Sequence, residues 1–320
     1  MTKFKLAIIL ITLPFFALGA TPPSILVSIK PIHSIIANIT NEVTDPELLL
    51  DSNISPHTYA LKPSDVKKMS DSDIIIYTSS NIENFLGKSI DNLKNDKITI
   101  ELIKIEGLTL LPNRTSNKIA IPEPDEHQDE HQDEHHDENH IHDYNIDPHI
   151  WLLPDNIAVI AKYITDILTN HDPANALKYK NNLMIFLDKL EKHNLFIKNK
   201  LSPYSGKAFI VYHDAFQYFE KNYGLNNVGH LTSPSNITLG AKKIKQMKDI
   251  IKEHNVKCVF REPQFSGTIV QNIGDSSNIN VGVLDPIGSE VKAGKNAYFD
   301  IIYNLANDFS NCLGKNDTVK

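Results

Sequence analysis

Apolar residues along this chain recur with two different periods, and the points where one period gives way to the other mark its elements. SILVSI, from residue 24, is a short β-branched run, and KPIHSIIANIT directly behind it carries its apolar residues at helical spacing. Strand then helix is the opening of an α/β unit. IIIY at 74–77 and KITIEL, with Ile98 to Leu102, predict two more strands, and IENFLGKSIDNL between them predicts an amphipathic helix. This alternation favours a parallel sheet with helices on its faces. From Pro112 to Asp147 the pattern lapses into Pro, Asn, acid and His, which predicts a mobile loop. Periodicity resumes in PDNIAVIAKYITDILTN, where Pro154 and Asp155 start a helix with apolar residues at 157, 160, 164, 167 and 168. A long helical stretch follows from Ala174 to Leu201, with Leu183, Leu187, Leu190, Ile197 and Leu201 along one stripe. At 1.5 Å per residue it reaches roughly 40 Å, longer than one small domain needs, so it reads as a strut between two lobes. Pro203 and Gly206 end it. Beyond it the alternation repeats, with strands AFIVY, NNVGHL, CVFRE and NVGVL each followed by a helix, the first of these helices running from His213.

The predicted fold is therefore α/β: two similar lobes, each a mostly parallel sheet flanked by helices, joined by one long helix. The division runs 21–172 for the N-terminal lobe, 173–203 for the linking helix and 204–320 for the C-terminal lobe. A chain of 320 residues with 41% hydrophobic and 22% charged side chains is long enough for two such cores. The opening residues MTKFKLAIILITLPFFALGA place Lys3 and Lys5 before an apolar run and end in small residues, the layout of a secretory signal peptide over 1–20. Export permits a disulfide, and there are two cysteines, Cys258 and Cys312. Neither stands at the signal-peptide junction, so no lipid anchor on a processed N-terminal cysteine is expected.

The formal net charge is −7, yet residues 123–143 alone hold ten carboxylates and no Lys or Arg. The rest of the chain is nearly balanced, and no basic field argues for nucleic acid.

Ligands in open α/β sheets bind beyond the carboxyl ends of the strands, so His and acid residues there carry the most weight. His213 directly follows AFIVY and Asp285 directly follows NVGVL. Two loop histidines of the first lobe join them, His57 in SPHTY and His149 in DPHIW, each held behind a proline that restrains the backbone. Three imidazoles and one carboxylate make an N3O set that suits Zn2+. Each residue taken singly also fits a hydrogen-bonded structural role, and Asp285 before Pro286 also fits a turn cap. His33, behind the first strand, reads as a hydrogen-bonded helix-start residue, and His171, His193, His230 and His254 read as surface.

Several longer strings carry a resemblance: SIKPIHSI, SPHTYALKPSDVKKMSDSDIIIY, the acidic His-rich insert, DPHIWLLPDN, VYHDAFQYFEKNYGL, CVFREPQF, LDPIG and NCLG. Over nearly the whole chain it resembles the periplasmic zinc-uptake solute-binding proteins of the ZnuA family, in a cluster that also holds manganese receptors and streptococcal metal-binding adhesins. The resemblance implies a metal site in the cleft between the lobes, with His57, His149 and His213 as ligands and either Asp285 or water completing the shell. Some relatives carry a Glu just before the first His; this chain has Pro56, which cannot ligate through its side chain. The manganese receptors use a carboxylate where this chain has His213, in line with the preference of Mn2+ for oxygen ligands. The resemblance also implies a Cys258–Cys312 disulfide, a location in the periplasm and delivery of zinc by a monomer to an inner-membrane ABC permease.

The insert reads DEHQ DEHQ DEHH DENH, with His127, His131, His135, His136, His140 and His142 close together. It is expected to hold extra zinc weakly and raise its concentration beside the main site; a solvated spacer is the rival. A manganese or iron receptor of the same cluster is the nearest alternative function. A zinc hydrolase is a different class, because three His with an open fourth position also describe a catalytic zinc. The chain has no HExxH or similar pairing to supply a general base, so it is expected not to be an enzyme.

Overall fold

The computed structural model describes residues 21–51, 54–93, 97–114, 146–232 and 241–315. The signal-peptide stretch 1–20 and the insert histidines 127, 131, 135, 136, 140 and 142 lie outside the described residues. Strand β1 (Ile25–Ile29) is buried along its length, as a strand covered on both faces must be. It runs straight into α1 (Lys30–Ile39), whose first turn holds Pro31, where its missing N–H costs nothing. β2 (Glu47–Leu50), α2 (Pro63–Asp71), β3 (Ile74–Tyr77), α3 (Gly87–Asp91) and β4 (Ile98–Glu101) complete the first unit. α4 (Pro154–His171) and α5 (Ala176–Leu201) form the long helical stretch. The second unit is β5 (Ala208–His213), α6 (Gln217–Tyr223), β6 (Asn226–Thr232), α7 (Ala241–Glu253), β7 (Cys258–Arg261), α8 (Thr268–Ser277), β8 (Asn280–Val283) and α9 (Ala297–Gly314). α6 ends at Gly224, whose φ of +65° is the left-handed conformation that glycine enters without steric cost.

Both sheets are parallel and share one topology: β2-β1-β3-β4 in the first, β6-β5-β7-β8 in the second. In each, the chain leaves the central strand toward one side and then the other, which opens a crevice beyond β1 and β3, and beyond β5 and β7. One apolar cluster runs through both units, taking Ile25, Val27 and Ile29 from β1, Trp151 from the turn before α4, Phe186 and Leu190 from α5, and Phe209, Phe260 and Phe309 from the second unit. Phe309 of α9 stacks on Phe219 and meets Phe209 and Phe260 edge-on or tilted. Cys258 of β7 and Cys312 of α9 are joined in a disulfide within this cluster.

Three expectations change. β2 was not legible as a strand; ELLL becomes one because Leu26 and Val27 of β1 pair with Glu47 and Leu48. The helix read over 82–93 shrinks to α3, because the preceding turn is organised around Glu83, whose Oε2 accepts from the N–H of Thr78 (2.7 Å) and Ser79 (2.9 Å). The helix read from His213 begins only at Gln217, and His213 is the last strand residue.

The residues on either side of 115–145 meet. Pro112 and Ile146 form an antiparallel bridge, and the Asp147 N–H donates to Leu111 O at 2.9 Å. α6 of the second unit closes over this root: Tyr218 Oη donates to Asp147 O (2.9 Å) and accepts from Leu111 N–H (3.0 Å), while Arg114 pairs with Glu220 and, at 3.1 Å, with Asp214.

Candidate metal centre

The three histidines reach one point from different elements. His213 ends β5, the strand at the second sheet's crevice. His57 sits in a turn after β2, where its N–H meets Ser55 Oγ at 3.3 Å and Thr58 N–H closes on Ser55 O at 3.1 Å. His149 follows the Asp147–Pro148 pair and heads the 3-10 turn Ile150–Leu152, whose Trp151 is fully buried. Ring centroids lie 5.7 Å apart for His57 and His149, 5.1 Å for His57 and His213, and 5.2 Å for His149 and His213. Each residue offers one nitrogen within 4.8 Å of those of the other two.

Carboxylates stand behind two of the rings. Asp147 Oδ1 accepts from His149 Nδ1 at 2.7 Å and from the His149 N–H at 3.0 Å. Glu262, the residue directly after β7, brings Oε1 to 3.2 Å from His213 Nδ1. Both acids are buried, and so are His149 and His213. The Asp147 hydrogen bond on Nδ1 fixes the His149 tautomer and leaves its Nε2 with a free lone pair, the arrangement that orients an imidazole for a metal, while Glu262 faces His213 Nδ1 as an ion-pair partner outside hydrogen-bond geometry. Nε2 of His57 and both ring nitrogens of His213 are buried without a hydrogen-bond partner, as expected of rings that can take up an ion.

Electrostatics separate the rings. Burial, then the neighbouring His213 and His149, press His57 down to about 2, so it is neutral at any ordinary pH. Burial also acts against a charged His213, but the facing Glu262 outweighs it, with Asp214 and Asp147 adding to its effect, and the ring's pKa lies above the usual histidine value. Burial of Asp147 is outweighed in the same way by the His149 contacts, which hold its carboxyl below the usual range. The space between the rings, walled also by Ser55, Pro56, Trp151, Pro286 and Ile287, is about 10 Å³. That is about the space one water-sized body takes.

Asp285 does not join the histidines. Its carboxylate is taken up by the N–H groups of Ile287, Gly288 and Ser289, so among the described residues the group is three imidazoles alone. The turn-cap reading of this residue matches its contacts. His33 is buried, with Nε2 2.9 Å from Pro46 O. His193 and His230 are not surface residues: His193 packs half-buried on Phe299, and His230 is 13% exposed with Nδ1 3.7 Å from Asp214. Sequence reasoning missed Asp147 and Glu262. Glu262 stands at a strand exit in CVFREPQF, so the filter that found His213 also applies to it.

A model of the ZnuA family, described as zinc-uptake complex component A, periplasmic, matches residues 25–312. The chain belongs to this family. Among its relatives is the high-affinity zinc uptake system protein ZnuA of Brucella suis, 36% identical over 317 residues that cover 93% of this chain and 94% of the relative. The protein of the same name from Haemophilus ducreyi is 37% identical, covering 90% and 93%. Among solved structures, a crystal structure of ZnuA superposes with a TM-score of 0.73 at 24% identity, over 91% of this chain and 99% of the other. A zinc-bound ZnuA deletion mutant follows at 0.72 and 25%, over 91% and 97%. The two-lobed fold with its long joining helix is that of the family.

Proposed function

We propose that this protein is a periplasmic receptor that captures Zn2+ between its lobes and delivers it to an ABC-type importer. The observation that carries the reading is the convergence of three imidazoles, drawn from both sheet units, on a space of about 10 Å³ where two buried Nε2 atoms have no partner. His57, His149 and His213 are the ligands, and the fourth position of a tetrahedral zinc is left to water, because Asp285 is engaged by backbone N–H groups. Asp147 holds the His149 ring in the ligating tautomer, and Asp147 and Glu262 together balance part of the ion's charge.

The same space argues against a hydrolase. It has room for an ion and no organic substrate beside it, and Asp147 is engaged by His149 and Gln217. A neutral third imidazole in place of a carboxylate favours Zn2+ over Mn2+. Residues 1–20 serve as the export signal, the receptor works as a monomer, and its docking partner is the inner-membrane permease. The insert histidines feed the cleft by holding further zinc at lower affinity.

Calorimetric zinc titration of the chain without residues 1–20, beside a His149→Ala/His213→Ala variant and a variant lacking 123–143, tests this. The double variant is expected to lose a tight site and the deletion only weaker ones. Tight binding that disappears with the insert and survives in the double variant refutes the cleft assignment.

A further inference from the structure

Two charged side chains from opposite lobes act on one turn, residues 286–289, which also walls the histidine cavity. From within the turn's own lobe, Asp285 gathers its N–H groups: Oδ1 accepts from Ile287 (3.3 Å) and Gly288 (3.0 Å), and Oδ2 from Ser289 (2.5 Å). Gln264 braces the same turn, its Nε2 donating to Asp285 Oδ1 (3.1 Å) and Ser289 Oγ (2.6 Å). Gly288 has φ +69°, and a Cβ there would lie 2.4 Å from Ile301 Cγ1, so the turn closes only with glycine.

With its N–H groups held by Asp285, the turn offers its carbonyls to the first lobe. Pro286 O accepts from Trp151 Nε1 at 2.9 Å. Gly288 O and Ser289 O accept from Lys30 Nζ at 2.8 and 3.3 Å. Lys30 is only 5% exposed and opens α1, where a cation meets the positive end of the helix dipole. Asp51, 3.6 Å from Nζ, is mostly exposed, so the turn carbonyls are the buried partners of this ammonium. An ammonium at that position is costly unless such contacts are formed.

Lys30 follows β1 just as His213 ends β5, so the two stand at matching crevices of the two sheets. Pro286 and Ile287 line the cavity beside His57, His149 and His213, and Trp151, bound to Pro286, packs on the His149 ring at 5.2 Å.

Resting on the three-histidine reading above, we propose that Asp285 and Lys30 are positioning residues for zinc. Asp285 shapes the turn and Lys30 draws it onto the N-terminal lobe, and together they set the spacing between His213 on one side and His57 and His149 on the other. Neither touches the ion.

The test uses the full chain without residues 1–20, as wild type, Asp285→Asn, Lys30→Met, the double variant and, as a control on the site itself, His213→Ala. Zinc release into excess chelator is followed by stopped flow, the visible spectrum is recorded with one equivalent of Co2+, and melting is followed by circular dichroism. Asp285→Asn and Lys30→Met are each expected to speed release by about 10–100-fold, the range seen when a group behind a metal ligand is lost. The double variant should release no faster than the faster single one, because both act through one turn, and the Co2+ bands should stay at wild-type positions. Should Lys30→Met not fold, Trp151→Phe removes only the Pro286 contact and is expected to speed release in the same direction.

Three results overturn the proposal. Co2+ bands that change in Asp285→Asn alone would make Asp285 a ligand. Release rates within twofold of wild type would leave the turn without a role, and single effects that multiply in the double variant would mean two independent actions. Tight zinc binding retained by His213→Ala instead refutes the histidine site itself, whatever the turn variants do.

Discussion

Asp147 is the most informative single position for the proposed binding chemistry, because one carboxylate serves several partners. Its Oδ1 takes the Nδ1–H and the backbone N–H of His149, and its Oδ2 takes Gln217 Nε2 at 3.2 Å. Asp147→Asn keeps the shape. The amide oxygen still accepts from His149, but the charge assistance is lost and the new NH2 group faces the Gln217 amide donor. A hydrogen bond to a charged group contributes about 1.5–3 kcal/mol against about 0.5–1.5 for a neutral one, so the His149 contacts weaken by roughly 1–2 kcal/mol. Part of that loss falls on the free protein, where it lowers stability. The part felt on binding is the interaction of the carboxylate with the charge that zinc places on the imidazole, and about 1.4 kcal/mol there corresponds to tenfold in Kd. Asp147→Asn is therefore expected to weaken zinc binding about 5–30-fold, read by competition against a chelator of known affinity, while binding stoichiometry is retained. A Kd within twofold of wild type, in a variant that melts normally, would refute the claim that Asp147 tunes His149.

Zinc affinity should fall as pH drops from about 7.5 to 5.5, because bound imidazoles must be neutral and protons compete for them. His213 leads this loss: its raised pKa lets the proton compete at higher pH than at an ordinary histidine, and equal affinities at the two pH values would count against the site. In the metal-free protein the same raised pKa stabilises the fold below the unfolded value of 6.5 and ceases to do so as pH rises through the folded value. Glu83 also makes stability fall as pH rises, but because its charged form is the costly one. Burial pushes its carboxyl up to about 7 from an ordinary 4.5, so ionisation costs the fold on the order of 3 kcal/mol as pH rises through that window. Glu83→Gln is expected to raise the melting temperature relative to wild type at pH 8 more than at pH 4.5, and an equal difference at both would show that Glu83 is ionised without cost. Reduction of the Cys258–Cys312 bond, which spans a sequence separation of 54, should remove about 4 kcal/mol by chain entropy. Thermal melts with and without reductant check this, and a shift under about 2 °C would contradict it.

The parts of the fold legible in the sequence are those whose pattern has one interpretation. IIIY and AFIVY are β-branched runs bounded by turn residues, and α4 repeats its apolar residues at helical spacing for eighteen residues. ELLL has no such signature, and pairing with β1 decides it. The stripe assigned to the strut was right in direction but not in membership: α5 buries Tyr179, Asn182 and Phe186, while Leu183 and Leu187 are only partly covered. Among the site residues, three histidines could be found because Pro–His and strand–His pairs stand out locally. For Asp285 the sequence left ligand, turn cap or a water in its place open, because a residue type and a strand exit do not show where a carboxylate turns; three consecutive N–H groups decide that, and they exist only in the folded turn. Asp147 and Glu262 matter through the ring behind which they stand, a relation no linear spacing displays.

The bridge between Pro112 and Ile146 means that the stretch 115–145 enters and leaves the fold at a single doorway, tied to α6 by Tyr218 and Arg114. With its two flanks already held together, the number of residues between them places no demand on the strands and helices of the fold. Residues could therefore be added to or removed from this stretch without shifting the elements that carry His57, His149 and His213.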